Sequence, residues 1–543
     1  MSITSRIIAK GFKLPKAETH NISVEHNLKV PMPDGVVLLA DHYYPRGSLK
    51  LPTILIRCPY GRGSFYGMSC RLFAEYGFQV LIQSCRGTFG SGGQFHPFRY
   101  EHTDGLATIE WMKKQDWFSG EFATQGPSYL GYVQWAIACD AGPELKAIAA
   151  QITASEFRSM TYPGESYGLF SALSWLHLVN KQEESWLGGF AGMFGAHRLK
   201  PAFKHLPLRD ADKLVIGRRV HFWQDWIEHS EPGDEWWQPV NHSGTPSEVT
   251  APVNLVGGWY DIFLPWMMKD YAALRNAGRI PYLMIGPWSH LSLGIFRAIS
   301  RESLAWFRAH LLNDRSQLRE MPVSIFVMGA GEWRDFPEWP PPGYRPQRWH
   351  LQTGGGLAPD PPTASEPDRY RYDPADPTPS VGGPLLSPGA ASKDNRALEA
   401  RQDVLIYTSP VLDRDMEVIG PLQAELFVRS SLEHTDFFAR LCDVHPSGKS
   451  FNICDGIRRL RPGRPAPGPD GTLKVNIDLW PTAYRFRRGH RIRLQVSSGA
   501  HPRFARNLGS GEPLATGTTL RVADQIVYHD PAHSSAIILP ALE

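Results

Sequence analysis

Thr124-Gln125-Gly126-Pro127-Ser128-Tyr129-Leu130-Gly131 places a Gly-x-Ser turn between a short polar strand end and an apolar run that reaches Ala138. A serine on a sharp strand-to-helix turn projects its hydroxyl into solvent at the sheet edge, which is what a nucleophile elbow requires. Glycines flank such a turn because a Cβ there would collide with neighbouring backbone. A helix that starts at the serine also presents free N–H groups and a partial positive charge, which favour a developing oxyanion. The octapeptide therefore points to acyl transfer through Ser128. Gly-x-Ser is common in ordinary turns, so the reading depends on partners elsewhere in the chain.

Two downstream segments have the form those partners need. Ala251 to Asp261 is a short apolar strand, then Gly257-Gly258, then an acid. Pro281 to His290 is a second strand, then Gly286, then a histidine. Each is expected to place its functional residue behind a glycine turn at a strand C-terminus, where ligands bind in open α/β sheets. A helix over roughly Trp266 to Asn276 returns the chain between them. The order Ser, Asp, His is that of an α/β-hydrolase triad. A serine hydroxyl is a poor nucleophile until a base takes its proton. His290 is the candidate base, and Asp261 the group that holds its tautomer and stabilises the imidazolium. Singly, His290 reads as a surface histidine and Asp261 as a helix cap; the joint pattern carries the assignment.

An oxyanion hole needs a second donor from a loop after an earlier strand. Pro52 to Arg57 is such a strand, and Cys58-Pro59-Tyr60-Gly61-Arg62-Gly63 follows it. One donor is the backbone N–H of Tyr129; the Tyr60 phenol is the candidate second. From spacing alone, an aromatic packed on a loop is an equal reading of Tyr60.

These residues together resemble the CocE/NonD hydrolases, the family of cocaine esterases, α-amino-acid ester hydrolases and X-prolyl dipeptidyl peptidases. The resemblance runs from about residue 25 to the C-terminus. It rests on Val30 to Leu38, Arg57-Cys58-Pro59-Tyr60, Gln83-Ser84-Cys85-Arg86-Gly87, Gly126 to Gly131, Gly257-Gly258-Trp259-Tyr260-Asp261 and Gly286-Pro287-Trp288-Ser289-His290. It implies Ser128, Asp261 and His290 as triad, and the Tyr60 hydroxyl and Tyr129 amide as oxyanion donors. It also implies Phe263 as an aromatic of the substrate-binding acyl pocket. Pro127 departs from the valine, isoleucine or threonine common there, and should stiffen the elbow.

At 543 residues the chain is long enough for two to four domains. A net charge of +3 is too small to argue for nucleic acid, and Arg458-Arg459-Leu460-Arg461 and Arg485 to Arg493 read as solvated strand edges. No run approaches the ~20 apolar residues of a membrane span. Met1 to Arg6 lacks a signal-peptide apolar region, so the expected compartment is cytoplasmic. The cysteines at 58, 70, 85, 139, 442 and 454 show neither CxxC nor metal spacing, and read as reduced, mostly packed thiols. His96 and His102 flank a loop without a further ligand. No metal or organic cofactor is expected.

Residues 1–150 form the first part of an α/β-hydrolase domain and 250–340 its second part. Between them, 151–249 is rich in aromatics (Trp175, Trp186, Trp223, Trp226, Trp236, Trp237) and lacks strand alternation, so a helical cap is expected. Proline clusters at 337–346 and again through 359–388 mark an extended connection. Beyond it, in a domain over 341–543, Leu422, Ala424, Leu426 and Val428, then Ile492, Leu494 and Val496, alternate with polar residues. That is the period of a β-sandwich. The resemblance implies a jelly roll specifically.

The leading expectation is a serine hydrolase acting on a small carboxylic ester, or an amide by the same acyl-enzyme route. The first alternative recognises a free amine, as X-prolyl dipeptidyl peptidases and α-amino-acid ester hydrolases do, with cap acids such as Glu165, Glu183 or Glu184. The second is a catalytically inert carbohydrate-binding protein. Neither nucleic acid nor membrane is expected as a partner. Spacing leaves the oligomeric state open, a homo-oligomer included.

Overall fold

The protein was analysed as a computed structural model, which describes residues 2–47, 50–183 and 199–542. Ten strands form the first sheet: β1 (Ile22–Pro31), β2 (Val37–Pro45), β3 (Thr53–Cys58), β4 (Gln79–Ser84), β5 (Phe122–Pro127), β6 (Leu145–Gln151), β7 (Val253–Tyr260), β8 (Tyr282–Ser289), β9 (Val323–Val327) and β10 (Glu332–Phe336). Their order is β1-β2-β4-β3-β5-β6-β7-β8-β9-β10. From β4 to β9 every neighbouring pair is parallel. β3, β4 and β7 are buried along their whole length. Parallel strands covered on both faces lack a polar side, which is why these segments read as continuous apolar runs.

The parallel run has a direct consequence. Ser128, Asp261 and His290 are each the first residue past β5, β7 and β8 respectively. Tyr60 lies two residues past β3. Strands that point the same way deliver their next residues to one edge of the sheet.

Residues 152–252 leave the sheet between β6 and β7. The described part holds helices at Leu169–Lys181, Ala211–Ile216 and His221–Glu228 with shorter turns between. An antiparallel bridge between Glu156 and Asn241 closes the neck of this excursion. Trp223, Trp226 and Trp237 are buried within it, whereas Trp175 and Trp236 are half-buried. Trp186 lies outside the described residues.

The second sheet has eleven strands drawn from Tyr344 to Leu542. Leu422, Ala424, Leu426 and Val428 are buried as the period-two pattern requires, and pair with Leu473–Phe486. Three expectations need correction. The proline-rich 359–388 stretch contains a strand, Asp368–Tyr372, paired with Ala523–Tyr528. The basic clusters are ion-paired rather than merely solvated. Arg459 is mostly buried and forks onto Asp436 at 2.9 Å from both nitrogens, while Arg461 meets Glu231, Arg485 meets Glu417 and Arg493 meets Glu399. Finally, Gln495 is buried although its position in the pattern is polar, because its amide donates to Glu399. Among the described residues, no helix is long and apolar enough to cross a membrane.

Candidate active site

Ser128 has φ 60° and ψ −123°, a conformation that non-glycine residues rarely hold. The surrounding bonds enforce it. The Ser128 N–H donates to the Gln151 carbonyl at 2.9 Å, and its own carbonyl accepts from Gly131 N–H, Tyr132 N–H and the Thr153 hydroxyl at 2.9, 3.1 and 2.8 Å. The turn also needs two glycines. A Cβ on Gly126 would lie 2.3 Å from the Leu130 Cβ, and one on Gly131 would lie 2.5 Å from the Thr153 methyl. The helix that follows is shorter than the apolar run suggests, Tyr129–Trp135.

His290 Nε2 lies 3.1 Å from the Ser128 hydroxyl oxygen, and His290 Nδ1 lies 2.7 Å from Asp261 Oδ2. The other Asp261 oxygen accepts the Phe263 N–H at 2.8 Å. Asp261 is fully buried and His290 nearly so. A carboxylate so enclosed, with one oxygen on a backbone amide, holds the ring with Nε2 facing the serine. The glycines before Asp261 and His290 do not make turns, contrary to the sequence expectation. Gly257, Gly258 and Gly286 lie within β7 and β8. They are needed for close approach: a Cβ on Gly258 would sit 2.3 Å from the Trp288 carbonyl oxygen, and one on Gly286 2.5 Å from the Trp288 ring.

The Tyr60 ring packs edge-on against Tyr129, the residue after Ser128, with centroids 6.3 Å apart, and its hydroxyl oxygen accepts the Trp175 indole N–H at 2.9 Å. Burial pushes the Tyr60 phenol well up, so it stays protonated and able to donate. The Tyr129 amide opens the Tyr129–Trp135 helix, where first-turn N–H groups lack an i−4 carbonyl. Below it, the Tyr129 hydroxyl donates to Glu101 at 2.7 Å and accepts from Phe98 N–H at 2.8 Å; Arg57 pairs with Glu101 at 2.8 Å. Sequence reading missed this anchor, since Glu101 and Arg57 are 44 residues apart and follow no motif. It missed Thr153 and Trp175 as partners for the same reason.

Phe263 is buried, with its ring centroid 5.5 Å from that of His290. Facing the elbow from the cap, Trp175 stacks on Tyr129 at 6.2 Å and 10°, and Phe222 and Trp226 lie 5.8 and 5.7 Å from Trp175. Phe98 packs 4.3 Å from Tyr129 and 3.9 Å from Phe157. These rings form one aromatic cluster around Tyr129, the residue that follows Ser128.

Of the acids expected to capture an amine, Glu165 is engaged by both terminal nitrogens of Arg158 at 3.0 and 2.7 Å. Glu183 accepts the Phe89 N–H at 2.9 Å. Glu184 lies outside the described residues. Cys58 and Cys85 are buried near the elbow with thiols pushed up by burial, so neither is a ready nucleophile. His102 pairs with Asp140, and His96 packs on His221. Elsewhere, Asp443, His445 and His490 bring ligand atoms within 4.8 Å of one another. The Asp443 carboxylate there already faces His490 Nδ1 at 2.9 Å and accepts the Tyr484 hydroxyl at 2.7 Å.

Comparison with known proteins gives the family. Residues 34–292 match the X-Pro dipeptidyl-peptidase (S15) family, and residues 318–538 match the X-Pro dipeptidyl-peptidase C-terminal non-catalytic domain. A cocaine esterase of Rhodococcus sp. (strain MB1 Bresler) is 32% identical over 574 residues, covering 96% of this chain and 99% of that protein. An aminopeptidase from a marine sediment archaeon of the Thaumarchaeota has the same fold, with TM-score 0.81 at 23% identity over 97% of this chain and 98% of that one. An α-amino acid ester hydrolase gives TM-score 0.77 at 21% identity over the same shares. The chain belongs to the S15 family, within its CocE/NonD serine hydrolases.

Proposed function

From that membership, in which the chain is an ester-cleaving hydrolase, we propose that Ser128 attacks the acyl carbonyl, His290 takes and returns the proton, and Asp261 holds the imidazole. The observation that carries this is the unbroken Asp261–His290–Ser128 contact at 2.7 and 3.1 Å on a serine held at φ 60°. As the carbonyl carbon becomes tetrahedral, its oxygen gains charge. The Tyr60 hydroxyl and Tyr129 amide are the donors at that position, where no reorganisation is needed. His290 then protonates the leaving alcohol, and a water activated by the same ring releases the acid. Phe263, beside His290, and the ring wall of Phe98, Trp175, Phe222 and Trp226 are read as the acyl-facing surface.

The preferred substrate is a small ester without a free α-amine. Among the described candidates for binding an ammonium, Glu165 is held by Arg158 and Glu183 takes the Phe89 N–H, which is what supports this preference. Activity in which an α-amino ester is cleaved faster than its des-amino analogue would favour the dipeptidyl-peptidase or amino-ester reading instead. A fluorophosphonate probe is the direct test: it should label the protein at Ser128, and Ser128→Ala should abolish both labelling and ester hydrolysis. Labelling elsewhere, or none, would overturn the assignment and restore the inert-binder reading.

A further inference from the structure

The Tyr60 phenol is not left to rotate. The indole N–H of Trp175, in the cap helix Leu169–Lys181, donates into its oxygen at 2.9 Å. Indole nitrogen is a donor only, whereas a phenol carries one donor and acceptor lone pairs. With the lone pair facing Trp175 taken, the phenol proton must point elsewhere. The Tyr60 ring itself packs edge-on against Tyr129, next in chain to Ser128, with centroids 6.3 Å apart. The ring of Trp175 is clamped in turn, stacked on Tyr129 at 10° and on Trp226 at 24°. The same helix end grips the loop directly, for the Gln182 side-chain amide donates to the Pro59 carbonyl at 2.8 Å.

We infer that Trp175 is a positioning residue: its N–H aims the Tyr60 hydroxyl proton at the oxyanion and polarises that O–H into a stronger donor. Accepting one hydrogen bond strengthens the next along a chain, more so where water is excluded. The cap therefore takes part in transition-state stabilisation as well as in covering the acyl group. The inference rests on the reading of Tyr60 as an oxyanion donor.

The test separates the N–H from the ring. Trp175→Phe removes the donor but keeps an aromatic. Site-specific β-(3-benzothienyl)alanine at 175 keeps the indole shape and replaces N–H by sulfur, so it decides the matter even if Trp175→Phe folds poorly. Both should lower kcat about tenfold, the worth of one net hydrogen bond, for acetyl and benzoyl esters alike, with KM little changed. In a Tyr60→Phe background the same replacements should cause no further loss. Unchanged kcat with the benzothienyl residue would overturn the inference, as would a loss that multiplies with Tyr60→Phe or one confined to the KM of bulky acyl groups. If Tyr60→Phe alone keeps full kcat, the donor reading of Tyr60 fails and takes the link with it. If Tyr60→Phe is slow but the benzothienyl enzyme is not, only the Trp175 link fails.

Discussion

The two walls of the site are built on different principles. On the sheet side each proposed triad residue sits at the end of a parallel strand and is held by directional bonds: three donors on the Ser128 carbonyl, and a backbone amide and an imidazole on Asp261. On the cap side the contacts around Trp175 are mostly ring against ring, with hydrogen bonds such as Trp175 to Tyr60 and Gln182 to Pro59 tying the cap to the sheet side. Trp223 Nε1 and Tyr167 Oη are buried there without a hydrogen-bond partner. Directional bonds fix atoms to fractions of an ångström, as proton transfer requires. Aromatic packing tolerates exchange and tunes shape, which suits discrimination among acyl groups.

That contrast predicts a graded response to substitution. Ser128→Ala, on the sheet side, should lower kcat by about a million-fold with binding and thermal unfolding preserved; residual turnover above about one part in a thousand breaks the contrast. Asp261→Asn should keep the geometry but favour the wrong imidazole tautomer. A drop in kcat of about 10⁴-fold is expected, measured against an unchanged KM. On the cap side, Phe222→Ala should act mainly through KM, raising it about tenfold for benzoyl esters and little for acetyl esters. An equal loss in kcat for both would show the cap wall to be as exacting as the sheet wall.

The smallest effect concerns what joins the two sides. Asp270, buried in the helix Leu264–Asn276, accepts from the Ser155 N–H and hydroxyl at 3.0 and 2.6 Å, and burial raises its carboxyl to about 7. The folded protein then keeps this proton between its ordinary value of 3.8 and about 7, where the unfolded chain has lost it. Stability from this group is full at acid pH and falls as pH rises through that window. Asp270→Asn keeps an acceptor for Ser155 and removes the titration. Denaturant unfolding should show Asn ahead by ~2 kcal/mol at pH 8, with the advantage shrinking towards pH 5. An advantage independent of pH would refute the buried-proton account.

The elbow, the acid and the base were all legible because each is a local signal: a strand, a break in pattern and one chemical group. The central strands were legible through their apolar runs, and the cap through its aromatics and missing alternation. What escaped was of two kinds. Gly257, Gly258 and Gly286 resemble turn residues in one dimension, yet they are strand residues that make room for side chains or backbone the local pattern does not show, Met267 for Gly257 and Trp288 for Gly258 and Gly286. Arg459 resembles a solvated charge because the sequence does not display Asp436 opposite it in the neighbouring strand.

Residue order alone pointed to the reaction class, since the proposed nucleophile, acid and base follow the hydrolase order and each stands in a local signal within ten residues of chain. Their meeting depended on strand direction: only a parallel run from β4 to β9 sends positions 128, 261 and 290 to the same edge. The orientation of the Tyr60 proton and the occupancy of Glu165 and Glu183 were decided later still, by contacts across the folded chain. Hydrogen bonds between distant residues leave no local pattern, because any donor that arrives in the right place serves equally well.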